Sequence, residues 1–226
     1  MGMLVVCNAV PEKLNKARVL GVLAGDDFPL DRLVAWANAA DIVLCADGGA
    51  NLLNSCGLTP DVTVGDLDSI SASTKAVQRE LVHIPDQNST DCDKLLALAE
   101  QRGYEAITLV CIEGDLFDHT LGALYSAASS PLEIRIALRR GIGLILRGPV
   151  ERRMDLPAST RLSLIPLTLC GGVTLEGVEW PLSEATLTPP DKISISNRAS
   201  GAVRGAISAG TALLVLSHPE LELPFW

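Results

Sequence analysis

No run of 18 apolar residues occurs in this chain of 226, so nothing in it has the length to cross a membrane as a helix. Cations are scarce as well. Eighteen Lys and Arg against 27 Asp and Glu leave a net charge of −9, which excludes a non-specific nucleic-acid surface, since that needs clustered cations to displace counterions. The six cysteines (Cys7, Cys45, Cys56, Cys92, Cys111 and Cys170) form no Cys-x-x-Cys pair and no Cys/His cluster at zinc spacing. Several lie inside apolar runs and no secretory signal is visible, so the expectation is reduced core thiols in a cytoplasmic protein. Met1–Val6 is short for a signal segment and runs into polar sequence, and position 6 lacks the Ser or Thr of a myristoylation site. Of the three histidines only His119 stands in a motif, and His83 and His218 read as incidental. No internal repeat, long linker or low-complexity tail is present.

What the chain does have is core. Hydrophobic residues are 48% and charged residues 20%, which excludes disorder, and the length suits two small domains. Apolar runs at 19–24, 42–46, 62–64, 81–84 and 106–112 read as buried strands. Helical spacing follows at 30–40, 52–56, 71–80, to about Arg102 from a cap at Ser89 or Thr90, and at 120–128. This alternation predicts a parallel sheet covered by helices, with its ligand crevice at the carboxyl ends of the strands. After about Arg140 the pattern changes. Short strands at 144–146, 161–167, 172–175, 185–187, 192–195, 202–207 and 212–216, separated by Gly, Pro, Asn or Ser turns, predict an antiparallel sandwich. The fold class is therefore α/β, with a parallel-sheet domain over 1–140 and a smaller all-β domain over 141–226.

The acidic residues stand where strands end. Gly65-Asp-Leu-Asp-Ser69 follows a strand, and two carboxylates two residues apart on extended backbone point to one side. Held together they need a shared proton or cation, and Mg²⁺ takes oxygen ligands of this kind, although a polar turn also uses Asp and Ser. Asp47-Gly-Gly-Ala-Asn51 reads as a Gly-rich turn between strand and helix, suited to a phosphate or simply a tight turn. Thr90 or Ser89 caps a helix with Asp91 and Asp93 in its first turn, where capping and ligand roles are both open for Asp91. A further strand delivers Glu113-Gly-Asp-Leu-Phe-Asp-His119.

Taken in order, Ala46-Asp-Gly-Gly-Ala-Asn51, Pro60-Asp61, Gly65-Asp-Leu-Asp-Ser69, Gln87 through Thr90-Asp91 to Lys94, and Gly114 through Asp118-His119 resemble the thiamin pyrophosphokinase family. Ser163-Leu-Ile-Pro-Leu167, Gly177-Val-Glu-Trp180 with Leu182, and Ser196-Asn197 extend the resemblance along most of the chain. It implies transfer of pyrophosphate from ATP to the hydroxyethyl group of thiamin by a Mg²⁺-dependent homodimer with sites between subunits. By motif match Asp66, Asp68 and Asp91 would hold Mg²⁺ and act in catalysis with Asp118. Asp47, Gly48, Gly49, Asn51, Ser69, Thr90, Lys94 and His119 would lie around the nucleotide. Gln87, Trp180, Ser196 and Asn197 would lie around thiamin, with the sandwich residues supplied by the partner subunit.

The chain departs from the family where Gly-Gly-Arg-x-Asp-His reads Gly114-Asp-Leu-Phe-Asp-His119, so Asp115 replaces a glycine and Leu116 an arginine suited to phosphate. Lys94 is the expected compensating cation. From the residues alone Trp180 is either a stacking face for thiamin or a sandwich core residue. Two other functions compete: a pyrophosphokinase acting on another alcohol such as a hydroxymethylpterin, and a non-catalytic thiamin or nucleotide binder. No membrane or nucleic-acid partner is expected.

Overall fold

The computed structural model describes residues 17–189 and 191–218, which form two units, 17–139 and 140–218. Cys7 and the opening Met1–Val6 lie outside the described residues. Among these residues no helix is long and apolar enough to cross a membrane.

The first unit is α/β. Its strands β1 (Val19–Val22), β2 (Ile42–Ala46), β3 (Val62–Gly65), β4 (Leu81–His83), β5 (Ala106–Val110) and β6 (Glu133–Leu138) pair in parallel in the order β4-β3-β2-β1-β5-β6. Strands β1, β2, β3 and β5 read as near-continuous apolar runs because they are buried, with Leu20, Leu44, Val64 and Leu109 fully enclosed. Helices α1 (Leu30–Ala39), α2 (Asp47–Ser55), α3 (Ala72–Lys75), α4 (Asp91–Gln101) and α5 (Phe117–Ser129) make the connections, with α4 packed over β2 and β3 and against α5.

Two local expectations are corrected. The Asp47-Gly-Gly segment is no turn before a helix but the first turn of α2, which starts directly after the extended Ala46. A Cβ on Gly49 would come within 2.5 Å of the Leu23 carbonyl oxygen, so this glycine allows α2 to approach the end of β1. The helix expected over 71–80 stops at Lys75. There the backbone bonds tighten to i+3 spacing, the Val77 N–H donating to the Thr74 carbonyl (3.2 Å) and the Gln78 N–H to the Lys75 carbonyl (3.4 Å), while the Gln78 side-chain amide adds a second bond to the Thr74 carbonyl (2.9 Å).

The second unit is antiparallel and all-β: β7 (Gly141–Arg147), β8 (Val150–Asp155), β9 (Arg161–Pro166), β10 (Cys170–Val178), β11 (Leu182–Leu187), β12 (Ser194–Ile207) and β13 (Thr211–Ser217). Strand β13 pairs with β7 and β9, β10 with β11 and β12, and β8 with β12. The two strands expected over 192–195 and 202–207 are one strand, β12. Its first part pairs with β9 across a bulge between Ser194 and Asn197, and its second part pairs with β10 and β8. A bulge bends a strand and breaks its period of two, which is why β12 reads as two pieces in sequence.

Candidate active site

Strands β2 and β3 run side by side with Ala46 opposite Val64, so their carboxyl ends release Asp47 and Asp66 next to one another. Asp47 is fully buried. Its Oδ1 accepts from the Gly48 N–H (2.7 Å) and its Oδ2 from the Ser69 N–H (3.4 Å). A Cβ on Gly65 would stand 2.9 Å from Asp47 Cγ, so the close approach of this carboxyl is what requires glycine at the end of β3.

Asp66 and Asp68 converge, though not through extended backbone. Leu67 between them adopts a left-handed conformation (φ 64), a strain of about 1–3 kcal/mol, and the reversal lets the Asp68 N–H donate to Asp66 Oδ1 (3.4 Å). One carboxylate oxygen from each of Asp47, Asp66 and Asp68 lies within 4.8 Å of the other two. Such a set of hard oxygen donors fits Mg²⁺, and the buried Asp47 in particular is costly without a cation. Ser69 Oγ donates to Asp68 Oδ1 (3.0 Å). Asn51 ties the loop to α2, its Nδ2 donating to the Ser69 carbonyl (2.8 Å) and its Oδ1 accepting from the Ser71 N–H (2.9 Å).

Helix α4 brings the next group. Thr90 is its N-cap, closing a capping box with Asp93, so Asp93 is engaged in the helix start while Asp91 stands half-buried beside it. Lys94 is only 4% exposed, its Nζ lying 3.4 Å from Asp91 Oδ1 and 3.7 Å from Asp66 Oδ2. Asp91 is thus joined to the three-carboxylate group through this buried ammonium. Gln87 also meets Asp66, donating from Nε2 to Oδ2 (2.8 Å). The Gln87 hydrogen bond, aided by Lys94, holds the Asp66 carboxyl below the usual range. Burial pushes Asp47 the other way, and the charges of Asp91 and Asp66 add to it. The two neighbouring acids are therefore driven apart in acidity.

At the end of β5, Leu116 caps α5 without any side-chain hydrogen bond, and Asp118 lies exposed in the first turn. Asp115 is not idle. Its Oδ2 stands 2.5 Å from His119 Nδ1, one helical turn on, and the pair lowers the Asp115 carboxyl and raises the imidazole, to which Asp118 and Asp91 also contribute. For the raised histidine the stabilisation is present below its unfolded value, near 6.5, and is lost as pH rises through the folded one. For the lowered aspartate it is present above about 3.9 and lost as pH falls. The pair therefore acts mainly in mildly acidic to neutral solution, and its exposure keeps the gain small. In an NMR titration, Asp115→Asn is expected to bring the His119 midpoint down toward its ordinary value. An unchanged midpoint would show that the pair does not form.

In the all-β unit Trp180 is 55% exposed, so the core reading of this tryptophan is overturned. Its backbone is held by buried Asn197, whose Oδ1 accepts from the Trp180 N–H (3.0 Å) and whose Nδ2 donates to the Trp180 carbonyl (2.7 Å). Ser196, next to it in the β12 bulge, is left-handed (φ 59). Its N–H donates to Ser163 Oγ (3.0 Å). Sequence reasoning passed over this part for Ser163 and also over Arg161, whose guanidinium donates to Ser196 Oγ. The available signal was their i, i+2 spacing, which puts both on one side of β9, the strand that pairs with the start of β12.

Comparison with known proteins places these features in a family context. A family model described as thiamin pyrophosphokinase, catalytic domain, matches residues 33–138, and one described as thiamin pyrophosphokinase, vitamin B1 binding domain, matches residues 150–214. No curated protein sequence matches. Among solved structures, the chain is similar to thiamine pyrophosphokinase from Bacillus subtilis (21% identity, 89% of this chain and 100% of that chain covered, TM-score 0.73). It is similar also to thiamin pyrophosphokinase from Candida albicans (17%, 89% and 90%, 0.74) and to the yeast enzyme (16%, 92% and 88%, 0.73). At such identities the structural likeness speaks for the fold.

Proposed function

The chain belongs to the thiamin pyrophosphokinase family, and from that premise we propose that it moves pyrophosphate from Mg²⁺-bound ATP to the hydroxyl of thiamin, using the acids at the ends of β2 and β3. The observation that carries this reading is the convergence of Asp47, Asp66 and Asp68, with Asp91 linked to them by Lys94. Mg²⁺ held among Asp47, Asp66, Asp68 and Asp91 would neutralise phosphate charge, which is most of what transfer of this type asks of a protein.

The chain's own residues supply the rest. Lys94 balances the acids and offers a cation to the nucleotide, Gln87 and Ser69 orient Asp66 and Asp68, and Thr90 and Asn51 fix the loops that carry them. Gly48 and Gly49 let α2 approach the strand ends, and Asp118 and His119 line the nucleotide side from α5. Trp180, Ser196 and Asn197 form the thiamin side. A homodimer with the site completed by the partner subunit is part of the same reading. The exposed stripe Phe117, Leu121 and Tyr125 on one face of α5 supports an association surface. Reduced thiols support a cytoplasmic location. Cys45, Cys92, Cys111 and Cys170 are buried and unpaired, with Cys92 and Cys111 pushed up to about 12 by burial.

The test offers thiamin and a hydroxymethylpterin separately with ATP and Mg²⁺. Turnover of thiamin alone, lost on omitting the metal, supports the reading, and turnover of the pterin alone would overturn it. The retained acids speak against a binder without chemistry, because converging carboxylates cost stability when no metal is bound.

Trp180 permits a sharper expectation. With its ring half exposed and its backbone held independently by Asn197, Trp180→Ala should weaken thiamin binding by about 1–3 kcal/mol while ATP binding and the melting temperature stay nearly unchanged. Calorimetric titration beside thermal melts checks this. A large loss of stability with unaltered thiamin affinity would remove Trp180 from the site.

A further inference from the structure

We propose that Arg161 fixes the hydrogen-bond polarity of Ser196, making its hydroxyl a donor-only contact for a ring nitrogen of the substrate's aminopyrimidine. This rests on the reading of Ser196 as a thiamin contact. A serine hydroxyl has one proton to give and two lone pairs to receive. Here the Arg161 guanidinium donates to Ser196 Oγ twice, from Nη2 at 2.7 Å and from Nε at 3.2 Å. A guanidinium stays charged and has no acceptor, so these bonds cannot reverse. Both lone pairs are taken, and only the proton remains available to a ligand.

The rest of the bulge holds that proton in place. Ser196 is left-handed, its N–H is bound by the buried Ser163 hydroxyl, and the next residue, Asn197, is buried and bonded to Trp180. Strand β9 thus controls Ser196 at two points, through Ser163 on the backbone and Arg161 on the side chain. An aminopyrimidine carries two ring nitrogens that only accept and an amino group that only donates. A donor-only serine admits the former and rejects the latter. The fixed positive charge of Arg161 also disfavours the cationic thiazolium nearby, so the pyrimidine end of the substrate is the end directed to this bulge.

The experiment measures binding of thiamin and of two analogues, each with one pyrimidine ring nitrogen replaced by CH, to wild type, Ser196→Ala, Arg161→Met and Arg161→Lys. In the wild type one analogue should bind about three- to tenfold more weakly than thiamin, the worth of one hydrogen bond. Ser196→Ala should erase that difference. Arg161→Met should shrink it, because the freed hydroxyl can turn elsewhere, and Arg161→Lys should retain part of it. Melting temperatures are compared throughout, and Arg161→Lys carries the test if Arg161→Met does not fold. Equal binding of both analogues by the wild type, or a full penalty persisting in Arg161→Met while Ser196→Ala removes it, overturns the proposal. If Ser196→Ala leaves thiamin affinity itself untouched, the reading of Ser196 as a thiamin contact fails instead.

Discussion

Asp68→Asn is expected to abolish Mg²⁺-dependent turnover and to leave the fold intact, and Asp66→Asn, Asp91→Asn and Asp47→Asn are expected to remove turnover as well. Each takes a carboxylate from the acidic group at the ends of β2 and β3 or from its extension through Lys94. Their stabilities should differ, because their surroundings do. Asp68 is exposed and faces two other acids, so its neutralisation relieves repulsion and the apo protein should hold or gain stability. Asp66 accepts from Gln87 and attracts a buried lysine, so Asp66→Asn should cost apo stability where Asp68→Asn does not.

Asp47 gives the same logic a pH signature. Its folded pKa is raised by burial, so its contribution favours the fold below the unfolded value, near 3.9, and is lost as pH rises through the folded one. Melts in chelator across that range should show this loss in the wild type and not in Asp47→Asn. Full activity of Asp68→Asn would end the metal assignment.

The double variant Leu116→Arg with Asp115→Gly should lower the Michaelis constant for ATP by about ten- to a hundredfold and leave that for thiamin unchanged. Leu116 is 60% exposed at the start of α5, where an arginine would be free to present a charged fork to phosphate. A charge-assisted hydrogen bond is worth roughly 1.5–3 kcal/mol, which sets that range. Removing Asp115 also frees His119, whose raised pKa then falls, so the gain should be larger in mildly acidic solution than above neutrality. Initial rates against ATP at saturating Mg²⁺ decide it. An unchanged or higher constant would place this loop away from the phosphates and strike Asp118 and His119 from the nucleotide side.

Much of the parallel sheet was legible because buried strands are continuous apolar runs bounded by Gly and Asp. Two strands were not. In that sheet Glu133-Ile-Arg-Ile-Ala-Leu138 places Glu133 and Arg135 between its apolar residues and so makes no continuous run, and in the all-β unit Val150-Glu-Arg-Arg-Met-Asp155 keeps only Met154 buried and so carries almost no hydrophobic signal. The meeting of Asp66 and Asp68 was legible, but its cause was not, because a left-handed leucine leaves no mark in composition. Asp47 was read among the residues around the nucleotide, whereas the register of β2 on β3 puts it among the acids. Pairing between distant strands is what spacing along one chain cannot express. The exposure of Trp180 was hidden for a similar reason: the carboxamide that holds its backbone lies 17 residues away on another strand.

The central claim, pyrophosphoryl rather than phosphoryl transfer to thiamin, is tested most directly by identifying both products of one reaction with thiamin, ATP and Mg²⁺. The account predicts AMP and thiamin diphosphate in equal amounts. ADP with thiamin monophosphate, or nucleotide hydrolysis with thiamin unchanged, would contradict it.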